Sequence, residues 1–269
     1  MKKTSCWLLL GTLLISLSGL AKAETPTVAA ASSLQFALSE ITTRFQAESG
    51  QQVRLNFGSS GNFRRQIAQG APFEVFLSAD DINALALHED GLTESEGIVY
   101  AYGRLVWLQR AERDDLPGEG DPLAAVERAL EEYRETGRRS RIALANPEHA
   151  PYGVAARHVL ERVGLWDEIQ PLKVMGENVS QAAQFALSAD ARGGLVAYSL
   201  ALAPTLAERS DYVLIPEDWH APLNQRMVLV KGAGETAHRF YDYLQGDEAR
   251  EILARYGFGL PAEPLQEEP

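Results

Sequence analysis

Cysteine is almost missing from this sequence. The single one, Cys6, precedes an N-terminal apolar stretch, which excludes disulfides, thiolate catalysis and cysteine-held metal from everything downstream. Lysine is nearly as scarce: after Lys22 only Lys173 and Lys231 remain. Neither has a serine three residues before it, so a Ser-x-x-Lys dyad is absent. Positive charge is in deficit as a whole, with 25 Lys and Arg against 37 Asp and Glu. Such a chain has no basic face to offer nucleic acid or an anionic membrane. A small anion remains an acceptable ligand, because a local cluster of N–H and O–H donors outweighs a distant, screened net charge. The histidines, His88, His149, His158, His220 and His238, show no H-x-x-x-H spacing and read as loop and surface residues rather than metal ligands. No repeat, no long low-complexity tract and no internal apolar run able to span a bilayer is present.

What the chain does have begins with an address. Met1-Lys2-Lys3, the apolar stretch Trp7 to Leu20 and the small-x-small pattern Ala21-Lys22-Ala23 read as a secretory signal peptide, residues 1–23. Its removal takes Cys6 with it, leaves 246 residues and moves the formal charge from −12 to −15. Cys6 lies ahead of the apolar region, whereas a lipid-bearing cysteine would follow it. The expectation is a soluble, periplasmic protein without membrane insertion, long enough for two domains of about 110–130 residues each.

Short apolar runs alternate with amphipathic segments, which predicts an α/β fold. Val28-Ala29-Ala30-Ala31 reads as a buried strand, followed by Ser32-Ser33 and then by Leu34, Leu38, Ile41 and Phe45 at helical spacing. Serines at a helix start serve as caps, or as part of an anion site where the first N–H groups lack partners. One such turn reads as a cap, but the arrangement recurs. Val53 to Phe57 alternates as a strand, and Gly58-Ser59-Ser60-Gly61-Asn62 leads into a second helix through Ile67. A third strand, Phe73 to Leu77, precedes a helix capped by Ser78-Ala79-Asp80. Leu105 to Leu108 is strand-like, and the polar segment Glu112 to Pro122 reads as a crossing between domains. Ile142 to Ala145, Leu172 to Met175, Gly194 to Ala197 and Tyr212 to Ile215 read as further strands. Helices are expected after Tyr152 and from Val179. Met227 to Val230 reads as a strand returning to the first domain, closed by helices around Phe240 and Ile252, with an acidic tail from Pro261. The expected lobes are therefore 24–104 with 222–269, and 105–221, with a ligand cleft between them.

The candidate chemistry is that of binding. Gly58-Ser59-Ser60-Gly61-Asn62 fails as a nucleophile elbow, which needs G-x-S-x-G. Arg64 and Arg65, after the second serine loop, read as a solvated helix face, with added field at an anion site as the alternative. His149 is the one histidine beside the expected site, its bland alternative being a loop residue bonded locally, and Tyr152 reads as either a pocket wall or a loop cover. What remains is a set of helix starts, after Ser33, Ser60, Tyr152 and Asn178, in both expected lobes. Converging, they make a donor-only shell suited to an ionised, acceptor-only oxyanion.

The segments Ala-Ala-Ala-Ser-Ser-Leu at 29–34, Phe-Gly-Ser-Ser-Gly at 57–61, Gln66-Ile67-Ala68-Gln69-Gly70-Ala71-Pro72 and Phe76-Leu77-Ser78-Ala79-Asp80 stand in an order matched by few families. Asn146-Pro147-Glu148-His149-Ala150-Pro151-Tyr152-Gly153, Tyr241-Asp242-Tyr243-Leu244 and Tyr256-Gly257-Phe258 complete the series. With them the chain resembles the periplasmic molybdate-binding proteins of ABC importers. The resemblance implies a two-lobed type II periplasmic-binding-protein fold and no enzymatic activity or cofactor. It implies molybdate or tungstate as ligand, the molybdenum held only through its oxygens, and a membrane permease as partner of a monomeric protein. It implies ligand contacts from Ser32, Ser33, Ser60, Tyr152 and Val179. Some members add a tyrosine in the strand read at 194–197; here Ala197 stands there and Tyr198 next to it, which makes Tyr198 a further candidate. Sulfate or phosphate is the rival ligand, and an exported enzyme using the same cleft is the rival of another class.

Overall fold

Buried apolar runs too short for helices form two separate five-stranded sheets in the computed structural model, which describes residues 25–262. The signal peptide read at 1–23 lies outside the described residues, as does the expected acidic tail beyond Ala262. The elements run β1 (Thr27–Ala31), α1 (Gln35–Ser49), β2 (Arg54–Gly58), α2 (Ser60–Ala68), β3 (Val75–Ser78), α3 (Asp81–Glu89), β4 (Ile98–Gly103) and β5 (Leu105–Arg110). There follow α4 (Ala124–Thr136), β6 (Arg141–Ala145), α5 (Pro151–Arg162), β7 (Lys173–Gly176), α6 (Val179–Ala186), β8 (Ala191–Ala197), α7 (Tyr198–Ala201) and α8 (Pro204–Ala207). The chain ends with β9 (Ser210–Leu214), β10 (Leu223–Leu229), α9 (Glu235–Tyr243) and α10 (Asp247–Arg255). No helix among the described residues is long and apolar enough to cross a membrane.

The two sheets share one plan. The first has the order β2-β1-β3-β10-β4 and the second β7-β6-β8-β5-β9. In each, three parallel strands are followed by one antiparallel strand, β10 or β5. Those two are the strands that enter each sheet directly after the chain has passed over from the other. The passages are short, Gly103 to Leu105 and Leu214 to Leu223. Both sheets are therefore mixed, an outcome the alternation of strand and helix did not specify. The edge strand β4 has no counterpart in the sequence reading. Its residues, Ile98 to Gly103, are partly exposed and interrupted by Tyr102, so neither a buried run nor a clean alternation marks it.

The polar segment after β5 is not a crossing. Since β5 pairs with β8 and β9, residues 111–123 lie among the strands of the second sheet, and a charge cluster holds them there. Arg192 of β8, buried, reaches Asp115 at 2.7 Å and Glu132 of α4 at 3.0 Å. Arg113 adds two bonds to Asp115, both 3.0 Å, and Arg138 and Ser140 bond Glu132 at 3.0 and 2.8 Å. Burial works against the Asp115 carboxylate, but its arginines outweigh it and hold the pKa below the usual range. For Glu132 the Ser140 hydroxyl is the largest influence, joined by Arg138 and Arg192, and again the pKa falls.

A carboxylate whose folded pKa is depressed adds stability above its unfolded pKa and loses it as the pH falls through the folded value. We expect Arg192→Met to lower unfolding free energy at pH 7 by about 1–3 kcal/mol, through carboxylates left without their partner. It should also flatten the loss of stability below the ordinary carboxylate range. Denaturant unfolding of both proteins from pH 7 to pH 3 measures this; parallel profiles would show that the cluster is energetically idle.

Candidate functional site

Parallel strands of an open sheet deliver their helices at one edge, so the helix starts of both sheets gather where the carboxyl ends of β1, β2, β6 and β7 meet. One small cavity lies there. It is lined by Ser32 and Ser33 after β1, Ser59 and Ser60 after β2, Tyr152 after β6 and Val179 after β7, with small residues such as Ala31, Gly58 and Ala79 between them. Its empty volume is about 190 Å³, below the roughly 300 Å³ at which pockets for organic ligands begin. A much larger, open groove lies at the opposite ends of the first-sheet strands, but Arg54, Glu74, Lys231 and Glu235 in its lining mix both signs of charge and no set of helix starts converges on it.

The serines are not caps. Ser59 occupies the cap position of α2 without a side-chain cap bond, and the short 3-10 turn Ser32–Leu34 that leads into α1 has none either. Their hydroxyls are instead arranged to give protons. Ser60 Oγ accepts from Ala79 N–H at 2.9 Å and Ser32 Oγ accepts from Ser180 N–H at 3.2 Å, so each keeps its own O–H free to donate. Ser33 Oγ and Tyr152 Oη are buried without a hydrogen-bond partner. Burial pushes the Tyr152 pKa well up, against a smaller opposing influence of the Ser33 hydroxyl, so this phenol stays protonated. Val179, Ser60 and Tyr152 each stand within the first two positions of a helix, where backbone N–H groups have no intrahelical acceptor. No carboxylate, guanidinium or ammonium group lines the cavity, and the described residues contain no cluster of His, Cys, Asp and Glu able to hold a metal.

Close approach fixes this shell in place. A Cβ on Gly103 would collide with Tyr152 Oη and come within 2.8 Å of Gln225 Nε2, so the tyrosine hydroxyl reaches its position over bare backbone where the chain passes between the sheets. Several bonds join the two sets of elements around the cavity. Ser199 Oγ donates to Ser33 O at 2.7 Å and Ser180 Oγ to Gln35 Oε1 at 2.8 Å. Gly61 N–H donates to His149 O at 2.9 Å.

The comparisons with known proteins agree with this geometry. The family model for bacterial extracellular solute-binding proteins matches residues 26–259. The chain belongs to that family. It is 37% identical to the molybdate-binding protein ModA of Rhodobacter capsulatus over 223 residues, 81% of this chain and 82% of that protein. To ModA of Azotobacter vinelandii it is 34% identical, covering 89% and 92% of the two chains. The solved Azotobacter vinelandii periplasmic molybdate-binding protein superposes with a TM-score of 0.77 at 29% identity, covering 89% of this chain and all of that one. A solute-binding family, and not an enzyme family, is the frame for the cavity.

Of the six residues expected at a ligand, five line this solute-binding protein's cavity: Ser32, Ser33, Ser60, Tyr152 and Val179. Tyr198 does not. The chain turns from β8 into α7 at that residue, and its ring packs over Gly257 and under Arg104. The Tyr198 hydroxyl lies 3.3 Å from that of Tyr212, an interaction that with burial pushes Tyr212 up to about 12. Arg64 and Arg65 also stay outside the lining. His149 is not bonded locally: its Nδ1 lies 2.9 Å from Ser59 Oγ, 90 positions away. Ser199 and Gln225 carried no sequence signal, since an isolated serine or a glutamine within a strand is ordinary until its neighbours in space are known.

The two kinds of hydroxyl predict different costs in the free protein. Ser60→Ala leaves the buried Ala79 N–H without its acceptor and should lower stability by about 1–2 kcal/mol. Ser33→Ala removes only the weak approach of its hydroxyl to Tyr152 and should change it by less than about 0.5 kcal/mol. Thermal and denaturant unfolding of ligand-free samples compares the two, and equal losses would contradict the assigned roles.

Proposed function

We propose that the protein captures molybdate, and also tungstate, in the periplasm and delivers it to the permease of an ABC importer. The observation that carries this reading is a cavity lined by four spare hydroxyls and by helix-start N–H groups, with no charged side chain in its wall. Every such group donates. A fully ionised tetrahedral oxyanion accepts at every oxygen and satisfies all of them at once, and charge-assisted bonds of this kind contribute about 1.5–3 kcal/mol each. The names and the degree of similarity of the relatives support molybdate within that class. Ser32, Ser33, Ser60, Tyr152 and Val179 are the proposed ligand contacts, and the metal centre is reached only through its oxygens.

The lobes proposed are 24–104 with 222–269, and 105–221. Because donors come from both, the shell is complete only when they meet, and the two short passages between the sheets are the natural hinge. A signal peptide at 1–23 supplies the export, and the protein acts as a monomer.

Titration calorimetry with sodium molybdate, tungstate, sulfate and phosphate tests the reading. Molybdate and tungstate should bind tightly and sulfate weakly, because its smaller tetrahedron would leave longer, weaker bonds to donors fixed in place. Phosphate carries a proton at neutral pH and would set an O–H against a donor, at a cost of about 1–3 kcal/mol, or roughly five- to a hundred-fold in affinity. Ser33→Ala should weaken molybdate binding by about 1–3 kcal/mol, and a chelator should not lower the melting temperature of the free protein. Phosphate binding within about tenfold of molybdate would replace the molybdate reading with that of an oxyanion site containing an acceptor.

A further inference from the structure

His149 bonds across the two halves of the site at two points, yet its side chain is not among those lining the cavity. Its backbone carbonyl accepts from Gly61 N–H at 2.9 Å. Its Nδ1 lies 2.9 Å from Ser59 Oγ, and its Nε2 lies 3.4 Å from Glu177 Oε2, on the loop that starts α6. One residue from the β6–α5 loop thus grips the serine turn of α2 at two points and touches the segment that carries Val179. The imidazole is about nine-tenths buried, at 9% exposure, while Glu177 is 72% exposed. Gly61 is required for the grip, since a Cβ there would lie 2.8 Å from the His149 carbonyl oxygen.

From this arrangement we infer that His149 is a positioning residue for oxyanion binding, which sets the serine turn so that Ser60 gives its proton to the ligand and Ser59 does not. The inference rests on the oxyanion reading. A carboxylate beside Nε2 places the ring proton on that nitrogen, so Nδ1 of the neutral ring is an acceptor. Ser59 then donates its proton to His149 and has none left for a ligand. Ser60, one residue on, has its lone pair taken by Ala79 N–H and keeps its proton for the ligand. Adjacent serines are sorted into two roles by what lies behind each of them. Because His149 and Ser59 come from opposite sides of the cavity, their bond forms as the sides meet, and its loss acts on how long a bound anion is held.

Molybdate affinity by calorimetry and dissociation rate by stopped flow test this on the mature chain, in Ser59→Ala, Ser60→Ala, His149→Ala and His149→Asn and in two doubles. His149→Ala should weaken binding about tenfold, mainly through faster dissociation. His149→Asn, whose side-chain oxygen can accept from Ser59, should recover most of it. Ser59→Ala added to His149→Ala should cost less than a further factor of about two, whereas Ser60→Ala added to His149→Ala should cost its full separate factor. In the wild type, imidazole ¹⁵N shifts with molybdate bound should report a proton on Nε2 of His149. Fully additive costs for Ser59 and His149, no recovery by asparagine, or a proton on Nδ1 alone would overturn the inference. A wild type that binds none of molybdate, tungstate, sulfate and phosphate would defeat the oxyanion reading itself, and the ¹⁵N tautomer in the free protein would still decide the Ser59 orientation.

Discussion

Buried donors without acceptors are the constraint on which this structure turns. A hydroxyl or N–H held away from water costs about 1–3 kcal/mol when it has no partner, and native proteins seldom tolerate many in one place. Here Ser33 Oγ and Tyr152 Oη are both buried and unpartnered at the same cavity, beside two further serines whose lone pairs are already engaged. The imbalance has one sign. Free hydroxyls and N–H groups that can only give hydrogen bonds are stable with an occupant that can only receive them, and no carboxylate stands in the wall to repel it.

The fold makes the imbalance possible by repetition. Each sheet carries three parallel strands with helices at their carboxyl ends, so each presents helix starts at one edge. Two sheets set edge to edge double the supply. The antiparallel strands β5 and β10 then tie the sheets by two short passages. Polar bonds between the two sides are few and made by side chains or single N–H groups, such as Ser199 to Ser33 O and Gly61 to His149 O. The sheets themselves are held by continuous apolar cores such as Leu105 to Leu108, all buried.

Electrostatics divides along the same line. The arginine-rich cluster around Asp115 and Glu132 lies on the far part of the second sheet's layer and has a structural task, holding the 111–123 segment to α4 and β8. No charged side chain lines the cavity. A fixed cation there would bind many anions, while neutral donors in set directions require a particular shape and protonation state of the ligand.

Much of this was legible before any coordinates. The recurring turn of apolar run, small polar residues and helix located four of the helix starts, because a strand of alanines and valines followed by 3.6-residue spacing is a local signal. The order of the family segments pointed to the serines, Tyr152 and Val179 as a set. The edge strand β4 was not legible, since its half-exposed residues carry neither pattern, and the segment 112–122 read as a linker because its binding partner, Arg192, lies some 77 positions further on. Tyr198 stands beside the position that the family's tyrosine holds along the chain, and the turn from β8 into α7 sends it elsewhere. The sequence alone determined which donors this protein owns and that acidic and basic groups are kept out of the serine turns. Only the tertiary structure decided which of those donors are already spent. Whether Ser59 or Ser60 keeps its proton depends on His149 and Ala79, residues 90 and 19 positions away, and no local pattern encodes a partner at that distance.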